Sequence, residues 1–186
     1  MTLIRQQAKR AMATRGQKAC IVIDHLVEAL AGDPSSFIRR AQVLTYIHEH
    51  PEVTQTEIMH EFNISKSAMN REIEWLFNYG CITRKSAEKD GRAVKLSVCG
   101  YSKRALESAL DYFPNQHKGL QSLLNRYIKI LKQGRPTLRD ARIVSSLYEK
   151  GQASKSEVME ELYNGPATTD NRAYKKLVSD GVIEDG

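Results

Sequence analysis

The strongest constraint on this chain is that it repeats itself at an offset of 100 residues. Arg39-Arg40-Ala41-Gln42-Val43-Leu44 returns as Arg139-Asp140-Ala141-Arg142-Ile143-Val144. The match continues through Ile47 and Leu147, Thr54 and Ser154, Glu57 and Glu157, Ile58-Met59 and Val158-Met159, and Glu61-Phe62 and Glu161-Leu162. One inserted residue then moves the offset to 101. Asn70-Arg71 pairs with Asn171-Arg172, Leu76 with Leu177, and Gly80-Cys81-Ile82 with Gly181-Val182-Ile183. Recurrence at a fixed period marks a duplicated structural module, so any fold proposed for one copy must serve both.

Each copy reads as three helices and a strand. In the first, Ala41, Leu44 and Ile47 make an apolar stripe at helical spacing, and Pro51 stops that helix. Thr54 and Glu57 have capping-box spacing and start a short helix to Phe62. Ser65 caps a third helix running to about Tyr79, with Met69, Ile73 and Leu76 on its inner face and Gly80 at its end. Cys81–Lys85 then reads as a strand, 86–91 as a polar turn, and 92–98 as an alternating strand with Val94, Leu96 and Val98 on one face. The second copy repeats the box at Ser154 and Glu157 and the stop at Gly181; as given, the sequence ends at Gly186, before a second strand. Helices over 17–31, 101–113 and 116–132 frame the first copy, the last with a long stripe of Leu120, Leu123, Leu124, Tyr127, Ile128 and Leu131. The expected fold is mainly α. It comprises a winged helix-turn-helix with framing dimerisation helices over 1–133, and a smaller wingless helix-turn-helix over 138–186.

Charge favours a polyanionic partner for the first part. Residues 1–133 hold 20 Lys+Arg against 13 Asp+Glu, whereas residues 134–186 hold 8 against 9. A helix-turn-helix with a hairpin behind it suits duplex DNA, its third helix in the major groove. Ser65, Lys66, Ser67, Asn70 and Arg71 would face base edges; Asn can read adenine, and Lys or Arg guanine. Arg84, Lys85, Lys89, Arg92 and Lys95 would carry positive charge on and around the hairpin, toward phosphates or the minor groove.

Other features exclude classes of function. The basic stretch before Lys18 has no apolar core after it, so it does not read as a signal peptide, and no apolar run is long enough to span a bilayer. It reads as a DNA-contacting arm or a frayed end. Cys20, Cys81 and Cys99 are too few and scattered for a disulfide framework, which suits a reducing, cytoplasmic, nucleoid-associated setting. His48, His50 and His60 lack ligand spacing, so no metal or other cofactor is expected. Gly134-Arg135-Pro136 reads as linker rather than minor-groove hook. No catalytic constellation is present in the sequence, and an enzyme is not expected.

Residues 17–133 resemble the MarR-type winged-helix transcription regulators. The resemblance rests on Thr54-x-x-Glu57-Ile58, Asn63-Ile64-Ser65-Lys66-Ser67, Leu76, Gly80, Ile82, Arg84, Asp90-Gly91-Arg92, Leu96-Ser97 and Gly100, with Ser97 where threonine is usual. It implies a homodimer through the three framing helices, Arg92 as a wing-tip arginine in the minor groove, and Asp90 as the partner that positions the wing. Thr54 and Asp90 complete the candidate DNA-binding set. Some members sense oxidants through a cysteine on the first helix; Cys20 stands there, though a small core residue is the plainer reading. The function expected is a dimeric repressor. The alternatives are a plasmid- or phage-type replication initiator or partition factor with tandem winged helices, and a protein-interaction scaffold. Residues 138–186, altered at Asp170 and Lys176 where the first copy has Met69 and Trp75, are expected to contact a protein partner or support the dimer, with a second DNA contact as the alternative.

Overall fold

A computed structural model describes residues 14–86, 93–131, 134–151, 153–162 and 167–184. The elements run α1 (Arg15–Ala29), α2 (Ile38–Glu49), β1 (Val53–Thr54), α3 (Gln55–Phe62), α4 (Lys66–Asn78), β2 (Ile82–Ser86), β3 (Val94–Val98), α5 (Gly100–Leu110), α6 (Gln116–Leu131), α7 (Leu138–Lys150), α8 (Lys155–Glu160) and α9 (Ala167–Ser179). The structure is mainly helical with one antiparallel sheet, ordered β1-β3-β2. β2 pairs with β3 from Ile82↔Val98 to Ser86↔Val94, and β1 adds Val53↔Leu96 and Thr54↔Lys95. Among the described residues no helix is long and apolar enough to cross a membrane.

The local punctuation read from the sequence forms as physical contacts. Glu57 Oε2 accepts from the Thr54 amide and hydroxyl, both at 2.7 Å. In the second copy Glu157 accepts from the amide and hydroxyl of Ser154, both at 2.8 Å. Gly80 and Gly181 take φ of +69° and +66°, a conformation that costs glycine little. Each is followed by the same closing bond: Cys81 N–H to the Leu76 carbonyl (2.8 Å) and Val182 N–H to the Leu177 carbonyl (2.9 Å). Thr45 and Ser145 each donate back to the alanine carbonyl four residues earlier, at 2.8 and 2.7 Å.

The two halves interlock reciprocally. The amide of Ile38, which opens α2, donates to the Pro136 carbonyl at 2.9 Å; that of Leu138, which opens α7, donates to Ser36 at 2.9 Å. On α2, Gln42 gives its amide to Asn125 of α6 (2.8 Å) and its carbonyl accepts from Gln121 (2.9 Å). On α7, Arg142 gives Nε to Asp24 of α1 (2.9 Å) and Nη1 to the Cys20 sulfur (3.1 Å). Asp24 and Asn125 are 101 residues apart, as are Cys20 and Gln121. The leading helices α1 and α6 therefore belong to the repeat, each packed on the other half. Such exchange of equivalent contacts is what a two-fold relation produces. At its tightest point Gly16 of α1 lies so close to α7 that a Cβ would fall 2.8 Å from Glu149 Cα.

Much of the apolar surface of α1, α5 and α6, the helices expected to form a homodimer face, is buried within one chain, while Tyr101 and Ile130 stay exposed. Ile23, Leu26, Leu106, Leu120, Leu124 and Leu131 are fully covered, with α7 lying against α1. The division at 133–138 falls inside one continuous core that includes Ile143, Tyr174 and Leu177 as well as Leu44 and Leu76. α1 packs against α5 on one side and α7 on the other, and α6 packs against α2, so the framing helices join the two halves.

Candidate nucleic-acid interface

α4 has two chemically distinct faces. Met69, Ile73 and Leu76 point into the core and are at most 2% exposed. Lys66, Ser67, Asn70 and Arg71 stand exposed on the other side, preceded by Ser65 at the N-cap. The Ser65 hydroxyl accepts from the Ala68 amide at 3.4 Å, so its first task is the helix start. The helix also carries two acids, Glu72 and Glu74, which in contact with DNA would repel phosphates. Both are held by arginines. Arg40 Nε donates to Glu72 at 2.7 Å in a pair buried to 9% and 7% side-chain exposure. The Arg40 guanidinium also lies 3.9 Å from the Trp75 ring centre. Arg84 donates to Glu74 at 2.7 Å and lies 4.3 Å over Phe77. The outward face of α4 is left with Lys66 and Arg71, neither paired among the described residues.

The remaining candidates divide. Lys85 is exposed on β2. Arg84 and Lys95 are engaged, the latter with Glu52 at 3.1 Å, so each would exchange an ion pair for a phosphate. Thr54 is taken up by the capping box, where its amide and hydroxyl hold the Glu57 carboxyl below the ordinary glutamate range. Lys89, Asp90 and Arg92 lie outside the described residues. One contributor escaped the sequence reading: the Gln55 side-chain amide donates to Asn70 Oδ1. It fixes the asparagine amide plane, as a base-reading side chain requires. Its only sequence signal is its place at the first position of α3.

The second copy repeats the device from shifted positions. Arg139 Nη1 donates to Asp170 at 2.8 Å, again in a buried pair, drawing the acid of α9 inward. Thr168, Thr169, Arg172 and Lys175 are exposed, and Asn171 is partly so. Lys176 is held by Asp180 at 2.7 Å.

The other titratable groups serve packing. Burial pushes the Cys20 thiol above its ordinary range, and Arg142 only partly offsets this. His48 Nδ1 meets His117 Nε2 at 2.8 Å and, across its ring, Glu107 at 3.5 Å; His50 Nδ1 bonds the Tyr46 carbonyl at 3.1 Å. Among the described residues no group of three His, Cys, Asp or Glu could hold a metal ion.

Residues 38–93 match the family model described as MarR family. A solved structure described as the crystal structure of MarR aligns at 22% identity, over 48% of this chain and 70% of its own, with a TM-score of 0.32. No curated protein matches significantly. The matched segment takes in α2, β1, α3, α4 and β2 and ends just before β3, so over the helix-turn-helix part of the fold the chain is similar to the MarR family.

Proposed function

We propose that this chain is a sequence-specific double-stranded-DNA-binding regulator that represses transcription by occupying its site. α4 enters the major groove. Asn70 and Arg71 address base edges, Lys66 and Ser67 the flanking backbone, and Lys85 the phosphates beside the hairpin. The segment joining β2 and β3, with Lys89, Asp90 and Arg92, takes the minor groove, as the family resemblance implies. The single observation that carries this reading is the sorting of charge on α4: both acids are tied to arginines and its two outward cations have no partner among the described residues.

The test is gel-shift binding to duplexes selected by the full chain from a random library. Arg71→Ala should cost about 1–3 kcal/mol and relax the preference at one base pair. Lys66→Ala should weaken all sequences alike and lower the salt slope by about one. Unchanged binding in both variants would remove α4 from the interface.

A further inference from the structure

We infer that one chain is a complete two-headed DNA reader, with α9 as a second recognition helix that takes a second major-groove site on the same duplex. The inference rests on the DNA-binding reading of α4 and extends it to the other half.

Three observations carry it. First, Asn171 and Arg172 occupy on α9 the helix positions that Asn70 and Arg71 occupy on α4, one turn after the start and beside the buried Asp170 and Met69 respectively. Second, the acid of α9 that would oppose DNA is drawn onto Arg139, and Asp180 is matched by Lys176, so the exposed side keeps Arg172 and Lys175. The inward ion pair is built from different repeat positions in the two halves. Arg40 corresponds by register to Asp140, and Glu72 to Ala173, whereas the second pair uses Arg139 and Asp170. The same charge arrangement reached from different residues points to a requirement on the outward face. Third, the reciprocal bonds between 36–38 and 136–138, and of α1 and α6 with the opposite half, relate the two helices by a local two-fold. Two-fold-related recognition helices are how helix-turn-helix proteins address both half-sites of an operator. Here the second helix is supplied in cis.

The two heads are unequal. Lys66 and Ser67 on α4 stand where α9 has Ala167 and Thr168, so the two helices address different bases and backbone positions. The operator should therefore be a non-palindromic site rather than a perfect inverted repeat.

The experiment uses the full chain on a duplex selected from a random library. It combines sedimentation equilibrium of the complex, a hydroxyl-radical footprint, and two variants: Arg172→Ala/Lys175→Ala and Arg71→Ala. All three substituted side chains are exposed, and circular dichroism checks that the fold is kept. The expected result is one chain per duplex and two protected stretches about one helical turn, ~34 Å, apart. The Arg172→Ala/Lys175→Ala variant should lose one stretch, on the order of tenfold in affinity and up to about two units of salt slope. Arg71→Ala should weaken the other. Two chains per duplex would overturn the inference, as would a footprint untouched by Arg172→Ala/Lys175→Ala, which would give α9 to a protein partner while leaving the α4 reading intact. Failure of Arg71→Ala to matter, or no selected site at all, would overturn both readings.

Discussion

Removing Asp170 alone should be among the most damaging single changes in the second half of the chain. Its carboxylate is 2.8 Å from Arg139 Nη1, at side-chain exposures of 6% and 8%. Arg139 has little else to fall back on: its Nε is buried with no hydrogen-bond partner. Asp170→Ala therefore strands a buried guanidinium, a class of change that costs about 3–5 kcal/mol. Against a total stability of about 5–15 kcal/mol this is roughly a fifth or more of what holds the fold. For a chain of this size it lowers Tm by roughly 6–20 °C, at about 2–4 °C per kcal/mol. Glu72→Ala should cost less. The Arg40 left behind keeps the Trp75 face at 3.9 Å and the Ser36 hydroxyl at 3.3 Å. Replacing both partners, Arg139→Met/Asp170→Leu, should recover most of the loss, since apolar substitution of a buried pair is often neutral. Urea denaturation of the four proteins gives each value. A cost below about 1 kcal/mol for Asp170→Ala would refute the argument, because that is what a solvent-screened surface pair is worth.

Other consequences are as direct. Gly16→Ala would gain about 1 kcal/mol in a free helix, but its Cβ would meet the α7 backbone at 2.8 Å; overpacking of about 1–3 kcal/mol then prevails, and urea denaturation should show net destabilisation. Thr54→Ala and Ser154→Ala should each cost about 1 kcal/mol. Glu57 and Glu157 are both held below their ordinary range by the cap amide and hydroxyl. Their contribution is thus complete above the unfolded glutamate pKa and is lost as pH falls through the lower folded value, so in acid-titration melts the gap between each alanine variant and the parent should narrow without closing, since the hydroxyl still accepts from the glutamate amide. Cys20 should react slowly with thiol reagents at neutral pH, because burial raises its thiol; labelling as fast as free cysteine would contradict its burial against α7.

Much of this was legible because it is local. A threonine or serine three residues before a glutamate, or a glycine after an apolar stripe, acts through contacts within one turn, so helices α3, α4, α8 and α9 and the β2–β3 hairpin follow from the sequence. β1 did not, since two residues carry no periodicity and exist as a strand only through Leu96 and Lys95. The partners of α1, α5 and α6 were illegible for a different reason. An amphipathic stripe says that a helix must be covered but not by what. For α1 part of the cover lies more than 100 residues away, in Arg142 for Cys20 and Asp24. The identities that exposed the repeat also misled. In register, Met69 against Asp170 looks like the loss of a core residue, whereas the carboxylate has been recruited by an arginine one position out of register.

The central claim is that α4 reads duplex DNA, and the most direct measurement is the ratio of affinities of the full chain for a selected duplex and a scrambled one at fixed physiological salt. The account predicts specific binding at roughly 10⁻⁸ to 10⁻¹¹ M, at least about 10³ tighter than the scrambled duplex, with the ratio reduced by Arg71→Ala. Equal affinity for both duplexes, or a ratio indifferent to Arg71, would contradict it.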